Sequence, residues 1–454
     1  MKPSWLNSVF PIAAIFSFRM LGLFMLIPVF TVYATHLDGA TSTLIGIALG
    51  CYGLSQGLLQ IPFGMLSDRY GRKPILTIGL LLFAGGSLMG AFTHSIYGMI
   101  IARTLQGTGA IGSVLIALLA DLTPDEQRTK AMAVIGVTIG LSFSLAMVIS
   151  PAITHRYGLS SIFYLTAALA VLGLIFLHLV IPTPAKEPFH SDSEVNPVLF
   201  KDVLHNVHLQ RLNASIFAQH LILTSTFFAI PMLLQRQLQA GMLTQQWHFY
   251  LPLILCSFIV MMPCIIVAEK KRQVKFMLVA TIAMTLLSQL VLIYGTTNWY
   301  LFCAAMFAYF VAFNILEATV PSLISRQAGG KSKGTAMGIY SSSQFLGIFA
   351  GGAAAGLLYQ FAGISGIFIS NAIISLLWLW IALYIKPNDY IATLIIAINA
   401  RKLAIDPIVA KLGQLPGVAD VVISLEEQVL YLRINRATYV DGSANKLVDS
   451  YIAG

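Results

Sequence analysis

Charge is what this chain has least of. Only 10% of its 454 residues are Asp, Glu, Lys or Arg, against 57% hydrophobic. A soluble domain carries about 25% charged residues, so a water-soluble globule is excluded. Cysteine is scarce as well: Cys51, Cys256, Cys264 and Cys303 all fall inside apolar runs, where they pack as small hydrophobes. There is no C-x-x-C pair and no His/Cys cluster, which argues against a disulfide framework and a zinc site. No G-x-x-x-x-G-K-S/T loop is present to cradle a nucleotide, so an ion gradient is the expected energy source. No nucleophile or paired-carboxylate constellation marks an enzyme. Neither a cofactor nor a metal is expected.

Long apolar runs, by contrast, are abundant. Stretches of about 20 residues recur, each able to cross a ~30 Å hydrocarbon core. Twelve can be drawn, at 10–33, 43–66, 74–93, 96–120, 130–152, 160–182, 213–235, 249–268, 275–295, 298–323, 333–358 and 364–385. Only helices satisfy every backbone group within lipid over such lengths, so each span is expected to be helical. The first residues, MKPSWLNS, lead into a run too long for a cleavable leader and are read as the start of the first span.

A polar stretch, PTPAKEPFHSDSEVNPVLFKDVLHNVHLQR, splits the spans into two sets of six. The expected domains are a bundle at 1–185, a linker at 186–212, a second bundle at 213–386 and a further domain at 387–454. Basic residues crowd every second loop: Arg69, Arg72 and Lys73; Arg128 and Lys130; Lys186, Lys201 and Arg211; Lys270, Lys271, Arg272 and Lys275; Arg326, Lys331 and Lys333. Arg156 and Arg236 are the main exceptions. By the positive-inside rule this bias puts both termini in the cytoplasm. The net charge of +9 is thus read as topology, not as nucleic-acid binding.

An internal repeat supports the two-halves reading. LLADLTPDEQRTKAMAVIG (118–136) and LISRQAGGKSKGTAMGIYS (323–341) align without gaps at an offset of 205 residues. Parallel halves of this kind are the trace of alternating-access transporters. Beyond Lys386-Pro387 the pattern changes. TLIIAI, a helical stretch at 404–413, VADVVIS, a turn at Leu425-Glu426-Glu427, QVLYLRI and a helix at 440–452 give the order β-α-β-β-α. That order suggests a small α+β ferredoxin-like domain without its final strand. Its LPGVADVVI is similar to the small heavy-metal-associated domains, but their paired cysteines are absent, so a regulator or self-association is the expected partner.

The most informative stretch is GMLSDRYGRKP, residues 64–74, with four charges in six positions between two apolar runs. It resembles the loop signature of the major facilitator superfamily: a glycine, three residues, then D-R-x-G-R-K. In this stretch Gly64 is expected to let the second span approach a neighbour closely, and Gly71 to permit a tight turn. A carboxylate at a helix end is stabilised by another helix's N-terminus, so Asp68 is expected to meet the start of the eleventh span near Lys333-Gly334. Arg72 is then free to pair with Asp121 at the end of ALLAD. With Arg69 and Lys73, this set is expected to latch the two halves on the cytoplasmic side. AEKKRQVK at 268–275 is a worn copy without the glycines, so the latch is asymmetric.

RTLQGTGA (103–110) resembles the family's fourth-span pattern. A charge within a span is costly unless it faces a cavity or partner, which makes Arg103 a candidate for proton coupling. Ala146, Ser150 and Pro151 stand where the family's antiporters carry a glycine-rich motif; only the proline and small residues survive. Arg19, Glu317 and His220 are further coupling candidates, Glu317 first among them. Gln56, Gln60, Gln219, Asn314 and Gln344 are candidates to line a substrate cavity, with interhelical hydrogen bonding as the competing role. Phe and Tyr are numerous and read as packing.

The resemblance implies an all-α polytopic membrane protein of twelve transmembrane helices in two six-helix bundles, with the small α+β tail. It also implies efflux of small amphipathic molecules in exchange for protons, in a bacterial inner membrane, with lipid as surroundings. A proton-coupled importer shares every feature except direction. A non-transporting sensor with the tail as output is the other alternative.

Overall fold

The computed structural model describes residues 6–123, 125–183, 197–328, 332–385, 391–397, 405–424, 429–435 and 438–452. They fall into two compact units, Met1–Ile385 and Lys386–Gly454.

The first unit is helical. Among the described residues, ten helices are long and apolar enough to cross a membrane. Helix α1, Leu6–Phe24, is shorter. The expected first span ran unbroken to residue 33, but the chain leaves the helix at Met25 and resumes as α2, Phe30–Tyr33. Pro28 lies in the break; it lacks an N–H and clashes with the preceding turn. Ser150 Oγ donates to the carbonyl of Met25, one of the groups the break frees.

Helix α3 (Ser42–Tyr70) is capped by Thr41, whose hydroxyl accepts from Leu44 N at 3.2 Å, and Gly71 separates it from α4 (Arg72–Phe92). Gly71 holds φ 94°, a region that a Cβ disfavours. The expected fourth span is two helices, α5 (Ile96–Thr108) and α6 (Gly112–Asp121), with a bend between them. Glycines allow the bend: a Cβ on Gly107 or Gly109 would strike the carbonyls of Tyr52 and Gly79 respectively. Helices α7 (Asp125–Tyr157) and α8 (Ser160–Leu179) complete this half.

The polar connection contains a helix that periodicity did not reveal, α9 (Pro197–His205), whose Val203 is buried. Asn206 then caps α10 (Val207–Gln239), accepting from His208 N at 3.0 Å. Helices α11 (Trp247–Lys270), α12 (Val274–Gly295) and α13 (Trp299–Gln327) follow. Element α14 (Lys333–Leu383) is two rods meeting at Gly363, where φ 63° and ψ −160° interrupt the helix. Its rods correspond to the eleventh and twelfth apolar runs.

Burial ranks the helices by depth. The apolar window of α10 is 89% buried and that of α11 only 22%, so α10 is central and α11 peripheral. The exposed faces carry Leu58, Leu81, Ile259 and Phe276, side chains suited to hydrocarbon.

The halves meet along α3 and the first rod of α14. A Cβ on Gly50 would lie 2.8 Å from Phe349 O, on Gly53 2.5 Å from Phe345 O, and on Gly57 3.1 Å from Ser342 O. Helices this close need small residues at the crossing. Thr43 Oγ1 donates to Gln360 Oε1 at 2.6 Å at one end of the seam. Deeper in, Phe143 of α7 packs against Phe227, Phe310 and Phe313 of the other half, ring centroids 6.3–6.5 Å apart. Gly64 makes no such approach, contrary to expectation: a Cβ there would meet only Ser113, at ordinary distance. The tight face of α3 lies nearer its start.

The second unit is a three-stranded antiparallel sheet of β1 (Ile391–Ala397), β2 (Val418–Ser424) and β3 (Val429–Asn435), with α15 (Ile405–Gly413) and α16 (Ser443–Ile452). The strand order is β1-β3-β2, with Leu394 opposite Leu432 and Val421 opposite Leu432. Ile408, Leu412, Leu430, Leu432 and Val448 form its core. The turn expected at Leu425-Glu426-Glu427 lies outside the described residues.

Candidate functional site: two buried polar clusters and a charged loop

One cluster joins α10, α13 and α14. Glu317 of α13 receives a hydrogen bond on each oxygen: Gln219 Nε2 donates to Oε2 at 3.0 Å and Gln344 Nε2 to Oε1 at 3.3 Å. The same Gln344 nitrogen lies 2.8 Å from His220 Nε2. His220 Nδ1 is 3.2 Å from Ile216 O, a carbonyl that only accepts, so Nδ1 carries the proton. Its Nε2 lone pair is therefore left to take the Gln344 N–H. His220 Nε2 also lies 3.7 Å from Glu317 Oε2. The histidine side chain is 6% exposed, the glutamate 33%, so the carboxyl faces an opening while the ring is sealed behind it.

Chemically, this arrangement has two forms. With the histidine neutral, Gln344 bridges ring and carboxylate. A proton on Nε2 would confront the amide N–H with another donor, so Gln344 must turn and the new N–H must face Glu317 instead. Three helices are tied to one proton count. Gln219 also reaches Phe313 O at 3.4 Å, and Phe313 lies 6.0 Å from the His220 ring. Asn314, expected in the cavity, is buried and donates to Ser257 Oγ of α11 at 2.8 Å.

The other cluster lies among α1, α3, α4 and α5. Arg19 and Arg103 are each 2% exposed. Tyr52 of α3, which the sequence did not single out, serves both: its hydroxyl accepts from Arg19 Nη2 at 3.1 Å, and its ring lies 4.9 Å from the Arg103 guanidinium carbon. Arg103 Nη1 donates to Gln106 Oε1 at 2.8 Å, and Gln106 Nε2 to Ser87 Oγ at 2.8 Å. Gln56 and Gln60 are buried here, Gln56 Nε2 donating to Gln60 Oε1 at 2.5 Å. In this structure they do not face open space.

The charged loop sits where α3, α4 and α6 converge. Arg72 Nε donates to Asp121 Oδ2 at 2.8 Å, Nη1 donates to Ser67 Oγ at 2.8 Å, and Nη1 also pairs with Asp68. Lys73 Nζ donates to Ile181 O, just past α8, at 2.6 Å. Arg69 is exposed, its guanidinium carbon 5.3 Å from the Tyr70 ring centroid. Among the described residues Asp68 bonds only to Arg72, so the contact expected with the helix start at Lys333-Gly334 is not made; residues 329–331 and the Lys333 side chain lie outside the described residues. In the second half, Arg326 Nη2 donates to Glu269 Oε1 at 2.8 Å, within the worn copy of the loop.

The Major Facilitator Superfamily model matches residues 12–269 and 212–403. The chain belongs to the major facilitator superfamily. The inner membrane transport protein YajR of Escherichia coli (strain K12) is 40% identical over 436 residues, covering 96% of this chain and 95% of that one. The quinolone resistance protein NorA of Staphylococcus aureus is 29% identical over 209 residues, 45% of this chain and 50% of that one. Among solved structures, a variant of the nucleoside transporter NupG shares the fold, with a TM-score of 0.67 at 14% identity. The match covers 84% of this chain and 99% of that one. This superfamily member is therefore a multi-pass membrane transporter resembling YajR, not an enzyme, and its work implies a small-molecule substrate.

Proposed function

We propose that the chain is a proton-coupled exporter of small amphipathic molecules, working by alternating access between two six-helix halves. The observation that carries this reading is the Glu317–Gln344–His220 group, in which an accessible carboxyl is bonded to residues of two other helices. A proton delivered to it changes the bonds holding α10, α13 and α14 together. Phe313, one turn before Glu317 and 6.0 Å from the His220 ring, continues into the buried rings of Phe143, Phe227 and Phe310, an apolar cluster that suits an amphipathic substrate once the halves part. NorA, a relative by sequence, is named for quinolone resistance, which favours export over import.

In this reading the chain crosses an inner membrane twelve times, counting α5 with α6 as one crossing and the rods of α14 as two. Both termini are cytoplasmic. Asp68, Arg69, Gly71, Arg72, Lys73 and Asp121 form the cytoplasmic latch, Arg72 gathering both carboxylates until the halves close. Arg19 and Arg103, buried around Tyr52 in the first half, are further coupling groups in this reading. The tail is a small ferredoxin-like domain that binds a regulator or a second copy.

The test is reconstitution into proteoliposomes with a panel of amphipathic compounds and an imposed pH gradient. Substrate uptake against an opposing proton flux supports the reading. Uptake that runs with the protons makes the protein an importer, and absence of counterflow for every compound removes transport of this substrate class.

A further inference from the structure

The Arg19 cluster has more positive charge than its surroundings explain. Two guanidinium groups lie fully inside the first half, and among the described residues neither forms an ion pair with Asp or Glu. Tyr52 and Gln106 give them neutral bonds only. Arg19 Nε, Arg19 Nη1 and Arg103 Nε are buried without any hydrogen-bond partner. A buried charge is costly unless it is paired and hydrogen-bonded.

One of these nitrogens lies against Gly112. A Cβ on Gly112 would lie 3.2 Å from Arg19 Nη1 and 3.2 Å from Gln60 Nε2. Gly112 is also the first residue of the ten-residue helix α6, whose start has no side-chain cap and so presents the positive end of its dipole. One unpartnered arginine nitrogen, an amide nitrogen and a helix start thus meet beside Gly112. The acceptors nearby are few. Tyr52 Oη already accepts from Arg19 and Gln60 Oε1 from Gln56, the latter oxygen 3.5 Å from the Gly112 Cβ position, and Gln56 Oε1 is left over. Turning the Gln56 amide would exchange that oxygen for another donor.

We propose that Arg19, Gln60 and the start of α6 form a binding site for a compact anion inside the first half. The occupant is a single small negative group, either a free halide or the carboxylate head of a transported molecule. Its charge offsets Arg19 directly and Arg103 across Tyr52. The site requires neither a particular transport direction nor proton coupling at Glu317, so it stands apart from the exporter reading.

Thermal unfolding of the purified intact protein tests it, in sodium chloride, bromide or acetate, with ionic strength held constant by a bulky sulfonate. A saturable rise in Tm of several degrees with the small anions is expected. Arg19→Gln should abolish the rise, and so should Gly112→Ala, which places a methyl against Nη1 and keeps the cation should Arg19→Gln fail to fold. Glu317→Gln should retain it, which separates this site from the proton site. A response to acetate above that to chloride assigns a carboxylate head, and the reverse assigns a free halide. A Tm indifferent to the identity of the anion, or a rise that persists unchanged in Gly112→Ala, overturns the proposal.

Discussion

Arg72 Nε donates to Asp121 Oδ2 at 2.8 Å, so the first residue of α4 holds the last residue of α6. The same guanidinium pairs with Asp68, two residues before the end of α3. One cation therefore fastens three helix ends. Replacing Arg72 with Gln leaves two half-buried carboxylates without their cation, whereas Asp121→Ala removes one bond and leaves the other. Hydrogen bonds to charged groups are worth about 1.5–3 kcal/mol each. Thermal unfolding in detergent should rank wild type above Asp121→Ala above Arg72→Gln, and an equal loss in both variants would show that Arg72 serves Asp121 alone.

Glu317→Gln keeps the length of the side chain and removes its ability to exchange a proton. Counterflow of substrate should persist within about threefold, since it needs only the rocking of the halves, while substrate-driven proton movement should disappear. Equal loss of both activities would make Glu317 a structural tie among α10, α13 and α14 instead.

Gln344→Leu tests the bridge itself. It frees His220 Nε2 from the amide and leaves Glu317 with a single donor, Gln219. Transport should become less steeply dependent on pH, with expression and fold retained. An unchanged pH profile would separate the histidine from the coupling.

The glycine seam makes a steric prediction. A valine at Gly53 would push into Phe345 O and Ile348, and the backbones of α3 and α14 would have to part. Cysteine labelling at the Thr43–Gln360 end of the seam should increase several-fold, because the closed form of that end is lost. Gly64→Ala, by contrast, meets only Ser113 at ordinary distance and should change labelling little.

Tyr52 can be dissected in two steps. Tyr52→Phe keeps the ring beside Arg103 and leaves Arg19 Nη2 without its acceptor, at a cost of about 1–3 kcal/mol. Tyr52→Leu also removes the cation–π contact, about 2 kcal/mol more when desolvated. Unfolding temperatures should fall in that order.

The helical runs were legible because lipid leaves little choice: length and hydrophobicity alone mark a span. The breaks were harder to place. Pro28 ends α1 and the glycines of RTLQGTGA bend α5 into α6, yet both residue types also occur inside intact helices, Pro62 and Pro151 among them. Helix α9 was not marked because nine residues within a polar stretch are too few for their period to stand out. Gly46, Gly50, Gly53 and Gly57 repeat at helical spacing, the sequence signal of the close crossing that Gly64 does not make. Tyr52 had no such signal. In helices apolar on every side, periodicity does not say which way a side chain points, so its place between two arginines required coordinates. The same limit hid the division of the five amides: Gln219 and Gln344 gather around Glu317, while Gln56 and Gln60 close on each other in the opposite half.

The meeting of α3 with α14 is built from carbonyl oxygens and α-carbons. Glycine has no rotamers to freeze, so re-forming this joint costs no side-chain entropy at the glycine positions, whereas each leucine there would lose about 0.5–1 kcal/mol on every closure. Two rigid bodies can thus separate and dock repeatedly with little thermodynamic friction along their shared edge, and a single added methyl is enough to reset the balance between docked and parted.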